Sequence, residues 1–259
     1  MKRKIVFCAV MFVLAAGFVS AQDAASVVDK SRNRIKADTV STRSRMVITA
    51  KNGSTSDRSM DQYSKDDAKG NSRSVVVFRS PAAVAGTRFL TIENAGRDDD
   101  RWIFLPGLGK VRRIAGSEGS GSFVGTDFSY DDISSQNRNT DLDNHRVLRE
   151  EKLDGHDCYV IESSPKDPAY QYSKMIQYID KSNFLNYKIE LYDKKGTMVK
   201  LLEILKFEEV QGRLTPMETR MTTLADGTST VIYVDIIKYD EAVPESVFTT
   251  SYLETGRAR

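Results

Sequence analysis

The chain has 259 residues, of which 29% are charged, and its formal net charge is +2. This near-neutral balance excludes a general electrostatic attraction to nucleic acid, which requires a strongly basic surface. A chain of this length can bury a large core as a single domain, so its stability does not depend on disulfides.

The N-terminus is typical of a secretory signal peptide. Residues 2–4 are basic, residues 5–19 are apolar, and residues 19–21 provide a cleavage site of small side chains. The apolar run is short for a membrane span, which needs about 20 residues. We therefore expect residues 1–21 to be removed and residues 22–259 to form an exported, soluble, single-domain periplasmic protein.

One helix and a long series of strands are predicted after the signal peptide. Residues 24–35 place Val27, Val28 and Ile35 on one helical face. From about residue 43 the hydrophobic period changes to two, which is typical of strands. The candidate strands are 45–51, 58–64, 72–79, 87–93, 101–105, 110–114, 146–153, 156–163, 172–180, 186–192, 198–210, 213–224 and 228–239.

Short turns between these strands indicate an antiparallel meander and argue against βαβ units. About a dozen strands are too many for a flat sheet, so we expect a barrel, a half-barrel or a sandwich. Residues 198–207 and 231–237 are apolar on both faces, and such strands need a covering on each side. Residues 245–253 predict one or two closing helical turns, whereas the polar residues 57–71 indicate an exposed hairpin.

The centre of the chain combines a hairpin with a glycine-rich loop. Two apolar runs, residues 101–105 and 110–114, flank a Pro-Gly turn, and the segment 115–133 that follows carries Phe123 and Phe128. Bulky apolar groups on such a loop suit a mobile lid over a lipid-binding cavity. An ordinary loop that fills its own core would have the same sequence pattern.

Motifs for catalysis or metal binding are missing from the sequence. The glycines complete neither a phosphate-binding loop nor a dinucleotide fingerprint, and the serines form no nucleophile elbow. His145 and His156 lack metal-ligand spacing and are expected at the surface, and the acidic pair at 131–132 is expected to be solvated. Cys158 has no partner cysteine in the mature chain and is interpreted as a small core residue. We therefore expect no enzyme activity, no cofactor and no metal.

Residues 101–133 resemble the signature of a family of bacterial outer-membrane lipoprotein-sorting proteins related to LolA and LolB. The matching motifs are WIFLP (102–106), KVRRI (110–114) and FVGTDFSYDD (123–132), followed by GHDCYVIE (155–162) and YID (178–180). The resemblance implies a mainly β fold, in which a curved antiparallel sheet forms an unclosed half-barrel. An N-terminal helix and a lid made of a loop or short helix cover this sheet.

The function implied by the resemblance is that of a periplasmic carrier or chaperone. It binds lipoprotein acyl chains, or another hydrophobic ligand, on the concave face of the sheet during outer-membrane lipoprotein sorting. An RND-type transporter or a membrane receptor is a further candidate partner. The alternative is a protein-interaction module without lipid cargo. The candidate lining or lid residues are Trp102, Phe104, Phe123 and Phe128, and Arg112 and Arg113 are candidates for contacting a headgroup.

Overall fold

A computed structural model describes residues 21–68, 70–94, 97, 99–134 and 138–258. Apart from Ala21, the predicted signal peptide lies outside these described residues. The helices are α1 (Ala21–Arg32), α2 (Tyr130–Ser134) and α3 (Thr250–Thr255). The strands are β1 (Thr39–Thr49), β2 (Thr55–Asp66), β3 (Ser72–Ser80), β4 (Arg88–Ile92), β5 (Asp100–Leu105), β6 (Lys110–Arg113), β7 (Asp143–Leu153), β8 (His156–Pro165), β9 (Lys174–Asp180), β10 (Asn186–Tyr192), β11 (Met198–Val210), β12 (Arg213–Thr223) and β13 (Thr228–Tyr239).

All of these strands belong to one antiparallel sheet with two arms. The spatial order is β6-β5-β4-β3-β2-β1-β13-β12-β11-β10-β9-β8-β7. Each arm is a meander, and the arms join in the middle because β1 pairs with β13. The sheet ends at β6 on one edge and β7 on the other, so it is not closed into a barrel. The predicted fold, a mainly β antiparallel sheet left unclosed with an N-terminal helix, is confirmed.

Alternation along the strands gives the sheet two faces with separate cores. On β3, Val76 and Phe78 belong to one apolar cluster, whereas Val75 and Val77 belong to another. Because successive strand residues point to opposite sides, these clusters lie on opposite faces. We call the face that carries Phe78 the inner face and the other the outer face.

Two elements cover parts of the inner face, and one covers part of the outer face. Helix α1 packs across β7, β8 and β9 on the inner face, where Ala24 and Val27 cluster with Ile161 and Ile179. Residues 115–134, which we call the plug, contribute Phe123, Phe128 and Ile133 to the inner core. On the outer face, the C-terminal residues 243–253 cover β3 and β4. Their closing turns agree with the predicted helical segment.

The tip of the plug is a small hairpin. The backbone N–H of Phe123 donates to the carbonyl oxygen of Phe128 at 2.7 Å, and Tyr130 N–H donates to Gly121 at 3.0 Å. The turn places Val124 at φ +50° and Gly125 at φ +72°. Glycine adopts this left-handed region without strain, but a β-branched valine does not. The glycine-rich loop of the sequence is therefore an ordered element on the inner face.

Two consecutive carboxylates connect this plug to both arms. Asp131 forms an ion pair with Arg101 on β5, and the Lys200 Nζ on β11 lies 2.8 Å from Asp132 Oδ2. Seven strand spacings separate β5 from β11, or about 34 Å in a flat sheet. Adjacent residues can reach both strands only if the sheet curves around the plug, because their Cα atoms are about 3.8 Å apart.

The side chains of Asp131 and Asp132 are only 9% and 6% exposed, although the sequence pattern indicated a solvated acidic pair. Asp132 also accepts a hydrogen bond from the Tyr172 hydroxyl at 2.9 Å. Burial, together with this carboxylate, raises the pKa of Tyr172, so its hydroxyl remains a donor. Asp132 N–H donates to the Ser129 hydroxyl at 3.0 Å and Ser129 N–H donates to Asp132 Oδ2 at 2.8 Å, and this reciprocal pair caps the start of α2. The acidic pair is therefore a structural bridge.

His145 also differs from its predicted surface position, because it is buried on β7. Its Nε2 lies 2.9 Å from the carbonyl oxygen of Thr140, to which it donates, and its Nδ1 lies 2.7 Å from the Ser163 hydroxyl. The side chain thus has polar partners on both ring nitrogens. We interpret it as a satisfied core residue.

Replacing Gly119 with alanine tests the plug. A Cβ atom at Gly119 would lie 2.2 Å from Asp131 Oδ1, a carboxylate already held by Arg101. We expect Gly119→Ala to lower the free energy of unfolding by about 1–3 kcal/mol, because the carboxylate must move. The matched control is Gly107→Ala, where a Cβ meets nothing within 4 Å. Urea unfolding of the two variants measures the difference, and equal midpoints would contradict this packing.

Cys158 provides a second test, of the packing around β8. Its side chain is fully buried, and burial is the main cause that raises the pKa of its thiol. We expect the mature chain to react with Ellman's reagent only in denaturant, since the thiolate is the reactive form. Absorbance at native and denaturing urea concentrations measures this. Stoichiometric reaction in native buffer would contradict the interpretation of Cys158 as a core residue.

Candidate functional site: a groove on the inner face

The inner face of the central strands is only partly covered. Leu202 of β11 and Ile232 of β13 contact the edge of the plug core, and both remain half-exposed. Ile204 and Val234, which follow them two residues later on the same strands, lie outside the packed clusters. The register between β12 and β13 ends at Glu218 and Tyr233, and Met217 and Val234 are the next residues on the two strands. We define the groove by these half-exposed inner-face residues: Ile189, Leu202, Ile204, Met217, Ile232 and Val234.

Other parts of the chain close the two ends of this groove. At one end lies the plug, against which Leu202 and Ile232 pack. At the other end, the segment after α1 is held to β12, where Arg34 donates to the carbonyl oxygen of Leu214. Arg213 Nε in turn donates to the Lys36 carbonyl oxygen at 2.9 Å. The groove is thus an apolar strip of the sheet between two fixed elements.

A polar cleft of about 320 Å³ adjoins the plug end of the groove. Ile48 and Phe128 provide apolar wall, and Lys200 and Asp127 provide charge. Asp127 is fixed by the hydroxyls of Thr228 at 2.5 Å and Thr230 at 2.7 Å. These bonds anchor the turn of the plug to β13, on the opposite arm from the strands that pack around Phe123.

Phe123 and Phe128, two of the predicted site residues, lie on the inner face at the tip of the plug. Phe123 is fully buried, and its ring centroid lies 5.6 Å from that of Phe78 and 5.3 Å from that of Phe89. Phe128 borders the polar cleft. The structure therefore brings this pair together beside the groove.

Trp102 and Phe104 lie on the other side of the sheet. Ile103 between them belongs to the inner core, so its two neighbours on β5 point outward. They pack against the cluster formed by the C-terminal residues, and the Arg88 guanidinium lies 5.1 Å from the ring centroid of Phe104. The sheet separates them from the plug phenylalanines.

Arg112 and Arg113 lie at the edge of the sheet on β6, and both are paired with acids. Arg112 donates to Glu118 Oε1 at 2.5 Å, and Arg113 donates to Asp100 Oδ1 at 2.6 Å. Hydrogen bonds from Arg97 and also from Arg113 lower the pKa of Asp100 to about 2. Their charges are thus balanced locally, and the pair is not adjacent to the groove.

The sequence pattern does not identify the residues that form the groove or those that hold the plug in place. The apolar excess of 198–207 and 231–237 pointed to the right strands but not to a particular face. For Asp127, Asp131 and Asp132 there was no local signal, because their partners lie far away in the chain. Within the described residues, no group of three or more His, Cys, Asp or Glu side chains could hold a metal ion. No helix in that part of the chain is both long and apolar enough to cross a membrane.

The comparisons with known proteins agree on one family. A family model described as "-like: Uncharacterized protein" matches residues 70–255. A comparison with curated proteins found no match. The chain is similar to the crystal structure of a DUF1329 family protein from Desulfovibrio piger, with 31% identity and a TM-score of 0.86. That alignment covers 90% of this chain and 98% of the other.

Two further solved structures share the fold. One is a putative outer membrane lipoprotein-sorting protein domain from Vibrio parahaemolyticus, with 26% identity, a TM-score of 0.85 and coverage of 91% of this chain and 100% of the other. The other is a LolA superfamily protein from Nitrosomonas europaea, with 24% identity, a TM-score of 0.71 and coverage of 88% and 98%. The chain therefore belongs to the DUF1329 family, and its structural neighbours are outer-membrane lipoprotein-sorting and LolA superfamily proteins.

Proposed function

We propose that this protein is a periplasmic carrier or chaperone that binds a hydrophobic ligand in the inner-face groove. The ligand class includes the acyl chains of lipoproteins and of lipids. In this proposal, residues 1–21 direct export and residues 22–259 form one LolA-like domain. The relationship to lipoprotein-sorting proteins supports it.

The observation that carries the proposal is the row of half-exposed apolar side chains between the plug and the segment after α1. Six such residues share one face in the middle of the sheet. Water contact with apolar surface is unfavourable by about 25 cal/mol per Å², so a ligand that covers the groove gains free energy. A buried chain of about 16 carbons would contribute on the order of 10 kcal/mol before the cost of association.

The plug is suited to act as a lid in this proposal. Phe123 and Phe128 occupy apolar volume next to the groove, and the plug is held to the sheet by these buried side chains together with the polar contacts of its aspartates. Carrying a ligand needs no catalytic group. Trp102 and Phe104 lie on the outer face, so a ligand in the groove would not contact them.

The second candidate is a protein-interaction module that serves a transporter or a membrane receptor. The observation that favours this candidate is that the outer face of the central strands is also uncovered. Leu201, Val231 and Tyr233 are half-exposed there. The two candidates predict different effects of a substitution on each face of the sheet. Strand β13 carries one valine on each face, and these two residues form a matched pair for the test.

Val234→Asp and Val231→Asp test which face binds. Both valines are half-exposed on β13, but Val234 points into the groove and Val231 points outward. We expect Val234→Asp to weaken binding of N-phenylnaphthylamine, a neutral apolar fluorophore, at least tenfold, because a buried carboxylate costs free energy. Val231→Asp should leave binding unchanged.

Fluorescence titration measures both affinities, and circular dichroism verifies that both variants are folded. Equal binding by the two variants and the parent chain would contradict the groove. A loss confined to Val231→Asp would favour the outer face, and hence the interaction module.

A further inference from the structure

Arg58 is a charged residue on the apolar inner face. The register pairs it with Met46 of β1, and Met60, two residues later on β2, belongs to the same inner core. Its guanidinium lies under the turn of the plug, where Nη2 is 3.4 Å from the position of a Cβ built on Gly125. Gly125 also lines the polar cleft. Arg58 is therefore placed where the plug, the cleft and the groove meet.

The guanidinium of Arg58 has no acidic partner among the residues that the structure describes. Its Nη1 is buried and makes no hydrogen bond. Burial alone lowers the pKa of Arg58, which means that no nearby carboxylate offsets the desolvation. Two other inner-face cations beside the plug, Arg101 and Lys200, are each paired with a plug aspartate.

An unpaired buried donor on a charged group is destabilising, because it has lost its hydrogen bonds to water without gaining others. Arginine cannot avoid this cost by losing its proton in a protein. Binding of an anion by the guanidinium would offset this cost. Carboxylates and phosphates match the planar fork of donors that a guanidinium presents, and they bind it more strongly than neutral acceptors do.

Arg58 is also aligned with the groove. The register continues from Arg58 through Met46 to Ile232, and from there through Thr219 to Ile204. Four strand spacings separate β2 from β11, or about 19 Å. A long extended chain with a charged end has this length. One ligand could thus place its anionic group at Arg58 and its apolar chain on the groove.

We propose that Arg58 is the anion-binding residue of the groove, and that the ligand is an amphiphile with a carboxylate or phosphate at the end of a long chain. This inference rests on the proposed function, because it assigns the chemical class of the ligand in the same groove. An acyl chain joined through an amide or an ester to a neutral group has no charge to offer Arg58. A free fatty acid has a carboxylate, and a lysophosphatidate has a phosphate.

The test compares ligands that differ in charge, and variants in which an arginine on the inner or on the outer face of the sheet is replaced. The ligands are palmitate, palmitoyl lysophosphatidate and the neutral hexadecanol, and isothermal titration measures their binding to the mature chain. The variants are Arg58→Met and the control Arg45→Met. Arg45 is an exposed arginine on β1 that lies over the Tyr233 ring on the outer face, 4.9 Å from its centroid.

We expect the parent chain to bind at least one anionic ligand about 10- to 100-fold more tightly than hexadecanol, as for a charge-assisted hydrogen bond in a buried site. Arg58→Met should remove this preference and leave hexadecanol binding unchanged, whereas Arg45→Met should retain it. The anionic ligand that loses more affinity in Arg58→Met identifies the group that binds Arg58 as a carboxylate or a phosphate. The melting temperature of ligand-free Arg58→Met should equal or exceed that of the parent chain, since an unpaired donor is removed.

Three results would overturn the inference while leaving the carrier function intact. They are equal affinity for charged and neutral ligands, an Arg58→Met variant that keeps the preference, and a lower melting temperature of that variant. In each case, hexadecanol would still bind the parent chain and would not bind Val234→Asp. This result would show that the groove binds apolar ligands. If none of the three ligands binds, the proposed function and this inference both fail.

Discussion

The bridge made by Asp131 and Asp132 is the interaction on which the rest of the structure depends. Neighbouring side chains reach Arg101 on one arm and Lys200 on the other, and the sheet must curve for both contacts to form. Curvature gathers inner-face residues of both arms around Phe123 and creates one core from strands that are distant in the sheet. The bridge and the burial of Phe123 and Phe128 together hold both arms of the open sheet around this small hairpin.

The same arrangement explains why some apolar residues are buried and others are left half-exposed. The plug covers Met46, Met60 and Met221 completely, but it ends before Ile204 and Val234. Helix α1 packs on β8 and β9 and leaves the central strands open. The groove is the part of the inner face that lies between these two coverings. An apolar strip of this kind in the middle of a sheet is the feature that a carrier of hydrophobic ligands requires.

Much of the fold could be predicted from the sequence, because strand alternation and turn signals are local. The strand from Asn186 to Tyr192 and that from Thr228 to Tyr239 agree with the prediction at both ends. The apolar excess of the late strands also indicated an uncovered surface. These features follow from the side chains of neighbouring residues, and no knowledge of distant contacts is needed.

The candidate site was less predictable, because it depends on contacts between residues that are far apart in sequence. Alternation alone puts Trp102 and Phe104 on one face and Ile103 on the other, but it does not say which face the plug covers. The burial of Asp131 depends on Arg101, thirty residues earlier. Arg58 lies in a polar run that indicated an exposed hairpin, and its position under the turn at Gly125 is visible only in the folded chain.

The most direct test of the account is native mass spectrometry of the mature chain, purified without detergent from cells that export it. We expect a stoichiometric adduct whose mass matches an acylated molecule, and loss of this adduct in Val234→Asp. Solvent extraction and lipid analysis of the same sample identify the ligand. A mass equal to that of the chain alone, with no uptake of palmitate, lysophosphatidate, hexadecanol or a lipopeptide added afterwards, would contradict the account.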